Sequence, residues 1–300
     1  MAERELTTVL EGGTFFESPR WREDHWWISD LYRHVVLRIE HDGGVREQLE
    51  VPGQPSGIGW MPDGSMLVVS MRDHRILRRA PGGEVSVHAE LAAYCGGELN
   101  DMVVDSHGRA FVGEFGFDLQ AFEDSAPGKL MRVDPDGTVT VLADDMLFPN
   151  GPTISADGAT LIVAETAGSR FTEFALDDDG AVTARGVWAQ VAQAPPLGPI
   201  AETLPQLKFG PDGSTLDADG CIWAADAVGA RCARIAPGGE IVDEIHGPDG
   251  LGIFACMLGG ADGRELMLCA APDFFAANRA SKRDAVLFSA RVEVPHAGLP

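Results

Sequence analysis

Pro62-Asp-Gly-Ser-Met-Leu-Val-Val-Ser70 places a tight Asp-Gly turn directly ahead of an apolar, β-branched run, the pattern of a hairpin turn feeding a buried strand. The same order recurs at Arg22-Glu-Asp24-His, Ser106-His107-Gly-Arg, Ala156-Asp157-Gly-Ala, Ala218-Asp219-Gly-Cys and Ala261-Asp262-Gly-Arg, each followed by a run such as Arg109-Ala-Phe-Val-Gly or Thr160-Leu-Ile-Val-Ala. Most units add a second turn: His41-Asp-Gly-Gly, Pro81-Gly-Gly-Glu, Pro135-Asp-Gly-Thr, Asp178-Asp-Gly-Ala and Pro237-Gly-Gly-Glu. Two hairpin turns per unit of roughly 40 to 60 residues imply four antiparallel strands, which is one propeller blade. The expected fold is all-β: a six-bladed β-propeller forming a single domain over residues 1–300. A β-sandwich, the alternative, gives no reason for one turn-strand-turn order to recur six times.

The 300 residues carry 23 basic and 46 acidic side chains, a formal charge of −23. A field of that sign repels phosphate backbones and anionic membrane surfaces, and no dense basic patch offsets it, so neither nucleic acid nor membrane is an expected partner. No run has the length of a signal peptide or a membrane span, so the expected location is the cytoplasm. The five cysteines lack CxxC spacing and are expected as free thiols. Oligomeric state is left open.

Alternation of strand direction puts the Asp-Gly turns on one face of the ring and the remaining links on the other. The long irregular segments, 115–129, 186–210 and 271–284, all belong to that second face, and long loops on a rigid scaffold carry function. The segment Leu6-Thr-Thr-Val-Leu10 is expected to pair into the last blade and close the ring, which removes exposed sheet edges. Seven residues before each turn's phase mark lies the start of an innermost strand, beside the central channel: Glu17, Ser56, Asn100, Asn150, Asp212 and Ala255. Five of these six are polar. Two carboxylates with carboxamides are hard oxygen donors that suit calcium, magnesium or manganese better than zinc. Asn and Asp are also common turn formers at strand starts, so one such residue alone would mean little.

Glu17-Ser-Pro-Arg-Trp, Leu99-Asn-Asp-Met-Val-Val-Asp, Phe148-Pro-Asn-Gly-Pro-Thr-Ile-Ser-Ala-Asp-Gly, Pro211-Asp-Gly-Ser-Thr-Leu-Asp-Ala-Asp-Gly-Cys-Ile-Trp-Ala-Ala-Asp and Phe254-Ala-Cys-Met-Leu-Gly-Gly, taken in order, resemble the SMP-30/gluconolactonase/luciferin-regenerating-enzyme family of six-bladed propellers. The resemblance implies one divalent cation, calcium first and Mn, Mg or Zn as alternatives, held by Glu17, Asn150 and Asp212. It implies Asn100 beside that cation toward the substrate, Asp212 doubling as catalytic proton acceptor, and hydrolysis of a small-molecule lactone. Sugar-lactone members tend to carry an arginine two residues before the blade-three asparagine, where this chain has Glu98. With Met102, Phe115, Phe117, Phe148 and Phe254 nearby, that departure points to a substrate less polar than a sugar lactone. Glu98, Asp101, Met102, Phe115 and Phe148 are the further expected substrate contacts, and Glu98 or Asp101 the reserve bases.

Two other readings remain at this stage: hydrolysis of another electrophile such as a phosphotriester, and a binding scaffold whose metal is structural. A serine hydrolase is disfavoured, because Ser56 has no GxSxG context and no histidine placed to activate it. His25, His41 and His107 fall on turns, Cys256 is expected in the core, and Gly57-Ile-Gly59 lacks the strand-to-helix setting of a phosphate loop.

Overall fold

The apolar runs become the inner strands of a closed ring in a computed structural model that describes residues 4–40 and 42–298. Six four-stranded antiparallel sheets surround a central channel. In five blades the strands follow chain order from the axis outward, and the innermost strands are Phe16–Arg22, Pro55–Trp60, Leu99–Val104, Pro149–Ile154 and Pro211–Leu216. Each contacts its counterpart in the neighbouring blades. The sixth blade runs Gly252–Gly259, Glu265–Ala271 and Ala285–Arg291, and Thr7–Gly13 supplies its outermost strand in antiparallel register from Thr7 opposite Ser289 to Gly13 opposite Ala285. The closing strand thus begins one residue after Leu6 and runs three beyond Leu10. Chain beginning and chain end share a blade, so the ring has no open seam.

Blades adhere through apolar side chains on their faces. Trp27, Val36, Ile58, Met66 and Val68 fill the space between blades one and two, and Val103, Phe111, Leu161, Val163 and Phe174 that between blades three and four. These runs read as continuously apolar rather than alternating because both faces of a blade are covered. Cys221, Cys232, Cys256 and Cys269 are buried free thiols and Cys95 is half-buried. Among the described residues no helix is long and apolar enough to cross a membrane. His41 lies outside the described residues.

Every innermost strand is irregular beside its mouth residue, with register shifts between Glu17 and Arg20, Pro55 and Ile58, Leu99 and Met102, Asn150 and Thr153, Pro211 and Ser214, and, just ahead of Ala255, Ile253 and Ala255. A bulge of this kind kinks the strand and re-aims a side chain. Two glycines are required there. A Cβ on Gly151, whose φ is +36°, would meet the Asp212 carbonyl oxygen at 2.2 Å, and one on Gly213 would meet Ala255 Cα at 2.7 Å. Their bare backbones let blades four, five and six converge at the axis.

Candidate functional site

Two populations of carboxylates surround the channel, and their hydrogen bonds distinguish them. Asp30, Glu114, Glu165 and Asp226 each end the second strand of a blade and are fully buried. Each accepts backbone N–H groups from the segment entering the innermost strand. Asp30 takes Thr14 N at 3.1 Å, Glu114 takes Gly96, Gly97 and Gly116 N at 2.8 to 3.0 Å, and Glu165 takes Leu147 N at 2.7 Å. Asp226 takes Gly210 N at 3.0 Å and Gly229 N at 3.1 Å. Arg170 and Arg231 complete the shells of Glu165 and Asp226. These acids fasten loops to blades. Their signal in the sequence, an acid closing an apolar strand, recurs in four blades and could have been read there.

Glu17 and Asp212 stand in a different setting. The structure brings them, with Asn150 and Asn100, to one cavity at the channel mouth, although they come from blades one, five, four and three. Ser18 N reaches Glu17 Oε2 at 3.0 Å. Burial, the Asp212 charge and the Asp101 charge push the Glu17 carboxyl well above the usual carboxylate range. Burial and the Asp101 charge do the same to Asp212, against a smaller downward pull from the Asn150 side chain and Gly213 N–H. Asn150 is aimed by a short chain of bonds, its Nδ2 donating to Thr166 Oγ1 at 3.3 Å while Thr166 Oγ1 donates to Pro211 O at 2.7 Å. Asn100 Nδ2 gives one hydrogen to Pro149 O at 3.1 Å, leaving a second N–H and the amide oxygen toward the cavity.

Asp101 and Met102 lie elsewhere than the sequence reading expects. Neither lines the cavity. The bulge turns the Asp101 carboxylate into the channel below the mouth, where Arg20 Nη2 at 2.9 Å, Ser18 Oγ at 2.8 Å and Met102 N at 2.7 Å hold it. Met102 is fully buried in the core. Phe117 and Cys256 are likewise core residues outside the lining, and the Cys256 thiol donates to Gly213 O. Glu98, Phe115, Phe148 and Phe254 line the cavity, as does Ser56.

The three long segments form the roof. Ser125 of segment 115–127 and Gly198 of segment 191–210 bond reciprocally, Ser125 N to Gly198 O at 2.8 Å and Gly198 N to Ser125 Oγ at 3.0 Å. Gln120 Oε1 accepts Ala276 N at 2.9 Å from segment 272–284, and Tyr32 O–H donates to Phe274 O at 2.8 Å. The strand before the second roof segment extends to Gln190, so Gly186 belongs to a blade rather than to the loop. Sequence reading missed Gln54, Tyr32, Thr166, Leu197, Ile200 and Phe274, which line the cavity from links between strands, where no periodic pattern marks a residue. The cavity holds about 1020 Å³ counted out to its open mouth, and its walls are mainly aromatic and aliphatic.

As a donor set, two carboxylates and a carboxamide fit a hard divalent ion, and among the described residues neither carboxylate has an ion pair; burial and like charge raise both, with Arg20 giving Glu17 only a lesser downward pull. Among the described residues no group of three or more His, Cys, Asp or Glu is placed to hold a metal; this set has two carboxylates, and its third member is an amide.

The family described as "SMP-30/Gluconolactonase/LRE-like region" matches residues 15–272. The chain belongs to that family. It is 27% identical over 310 residues to a 6-deoxy-6-sulfogluconolactonase of Pseudomonas putida, covering 100% of this chain and 99% of the relative. It is 27% identical over 260 residues to the pentonolactonase XacC of Haloferax volcanii, covering 81% of each. Among solved structures, a calcium-binding protein, regucalcin, of Agrobacterium tumefaciens superposes with a TM-score of 0.80 at 21% identity, covering 100% of this chain and 99% of that one, which shows a shared fold.

Proposed function

We propose that this family member opens a lactone by hydrolysis, with Glu17, Asn150 and Asp212 holding one divalent cation, calcium first. The observation that carries the reading is the convergence of two carboxylates, without an ion pair among the described residues, and an amide from three blades on one roofed cavity. The lactonase names of the two relatives and the calcium-binding description of the regucalcin structure support it.

A cation bound there supplies Lewis acidity, polarising the lactone carbonyl and making water a better nucleophile near neutrality. Asp212 accepts the proton of the attacking water, a role the amide of Asn150 cannot fill. The free N–H of Asn100 is positioned to donate to the oxygen on which charge develops. Collapse breaks the ring C–O bond, and the proton held on Asp212 passes to the departing alkoxide, giving the hydroxy acid. The roof, anchored through Ser125 and Gln120, keeps bulk water from the reacting ester.

The preferred lactone is less polar than a sugar lactone. Phe15, Phe115, Leu119, Phe148, Ile200, Phe254 and Phe274 line the cavity, and any aldose hydroxyl turned toward these side chains would be desolvated without a partner. The sulfonated substrate in the name of the P. putida relative is not carried over, because among the described residues the lining contains no lysine, arginine or histidine to receive an anion. The test is a panel of alkyl lactones, gluconolactone and a paraoxon-type phosphotriester, each with calcium, manganese, zinc or chelator. Metal-dependent opening of alkyl lactones is expected. Preference for the phosphotriester would reassign the reaction, and metal-dependent melting without turnover would make the protein a scaffold.

A further inference from the structure

We infer that Glu98 selects substrate by charge, so that the cavity takes a lactone bearing a protonated amine and refuses one bearing a carboxylate, sulfonate or phosphate in the same place; this rests on the lactonase reading above. Among the described residues three carboxylates, Glu17, Glu98 and Asp212, line the cavity, and no cationic side chain does. A divalent cation would cancel the charges of Glu17 and Asp212, leaving Glu98 as the cavity's net charge.

Glu98 is held in place but not satisfied. Its backbone carbonyl accepts Phe115 N at 3.0 Å at the entry to the strand Leu99–Val104, so the residue sits on rigid chain. Its side chain, only 20% exposed, has one ion pair among the described residues, with Arg72 Nε at 3.5 Å. That guanidinium is 65% exposed and lies outside the lining. Glu114, one strand away, takes three backbone N–H groups within 3.0 Å on its Oε2, so this blade supplies main-chain donors to an acid that serves structure, and Glu98 receives none of them. Gln54, Ser56 and Asn100 enter the cavity with Glu98 from the neighbouring blades two and three, while Ile200, Leu204 and Phe274 enter it from the roof segments. An ammonium group on an otherwise apolar lactone finds a counter-ion and neutral acceptors from those two blades and dispersion contacts from the roof. An anion there meets Glu98 with nothing to neutralise it, and like charge in a low-dielectric pocket is a strong rejecting element.

The experiment compares γ-lactones with one alkyl arm ending in ammonium, methyl or carboxylate. The wild type is expected to favour ammonium over carboxylate by about 30-fold or more in kcat/KM, a ratio falling to within about threefold in Glu98→Gln. Arg72→Ala, which removes the competing cation outside the cavity, should raise the ratio. Calorimetric titration of the corresponding lactams reads the same preference without turnover. Equal handling of ammonium and carboxylate by the wild type, or a ratio unchanged in Glu98→Gln, overturns the inference. If no lactone is opened but the ammonium lactam binds more tightly in a Glu98-dependent way, charge selection stands and the lactonase reading falls alone.

Discussion

Asp226 and Asp212 lie in the same blade fourteen residues apart, and they show what an acid is for. Asp226 is walled in by two backbone N–H groups and Arg231, so its negative charge is fully used by the protein. Asp212, at the mouth, has Asn150 and Gly213 N–H as its stabilising neighbours, and burial with the Asp101 charge drives its carboxyl upward. Glu165 and Glu17 repeat the contrast in blades four and one. An acid whose donors are supplied by the chain stabilises the fold. One left short of donors beside a second such acid at a cavity is kept for something the chain does not contain. The distinction separates sites from scaffolding within a molecule where acids outnumber bases 46 to 23, and each half of it can be broken by substitution.

The largest effect is expected at Asp212. Asp212→Asn retains size and an oxygen donor but removes the base and one charge, and kcat should fall by roughly 10² to 10⁴. The metal-free protein should melt no lower than wild type, since an unfavourable buried charge is gone. Rates taken at saturating metal separate the two roles: recovery of near-native kcat in excess metal would leave Asp212 as ligand only and make Glu98 the next base to test. Asp226→Ala should behave oppositely. It strands buried Gly210 N and leaves Arg231 with Glu244 as its remaining acid partner, and urea denaturation should show a loss of about 3 kcal/mol, with activity per folded molecule largely kept. A large drop in kcat without loss of stability would dissolve the contrast.

Asp101 sharpens the boundary, because it neighbours the site yet its Oδ1 is held by Arg20, Ser18 and Met102 N. Asp101→Asn keeps a carbonyl acceptor for Ser18 and Met102 N but removes the charge opposite buried Arg20. Stability should fall by about 2 kcal/mol, while kcat stays within about tenfold of wild type. A loss as deep as that of Asp212→Asn would place Asp101 among the reacting groups.

The ring of blades was legible because each turn type is tied to backbone geometry: Asp-Gly turns need φ > 0, and apolar runs between them have nowhere to go but a covered sheet. The mouth positions were legible from phase, since six equivalent strand starts must face one axis, and Glu17, Ser56, Asn100, Asn150 and Asp212 indeed share a cavity. The phase argument failed one residue later. At Asp101 and Met102 the bulge breaks the alternation of faces, sending the carboxylate down the channel to Arg20 and the thioether into the core. The roof was legible only as three long segments. Which of their residues face inward depends on contacts such as Ser125 with Gly198 and Tyr32 with Phe274, between positions far apart in sequence and without period.

The smallest expected effect is a dependence of stability on pH, and its sign depends on whether a carboxyl is raised by burial or lowered by an ion pair. For a carboxyl whose folded value lies above its unfolded value, the folded state binds more protons between those two values, so stability falls as pH rises through that interval. Glu17 and Asp212 are such groups. Asp243, lowered overall by its hydrogen bonds and ion pair with Arg4 despite partial burial, follows the usual rule and loses its contribution as pH falls. Thermal melts of metal-free wild type and of Glu17→Gln/Asp212→Asn, run from about pH 4 to 8, should therefore diverge, with the variant gaining on wild type as pH rises from the ordinary carboxylate range. Saturating calcium should stabilise wild type by mass action, more at higher pH where both carboxylates are free of protons, and leave the variant nearly unmoved. Parallel melting curves across the whole range, with and without calcium, would mean that neither mouth carboxyl is raised by its burial and that neither holds the ion, and the contrast between site and scaffold acids would have no energetic basis.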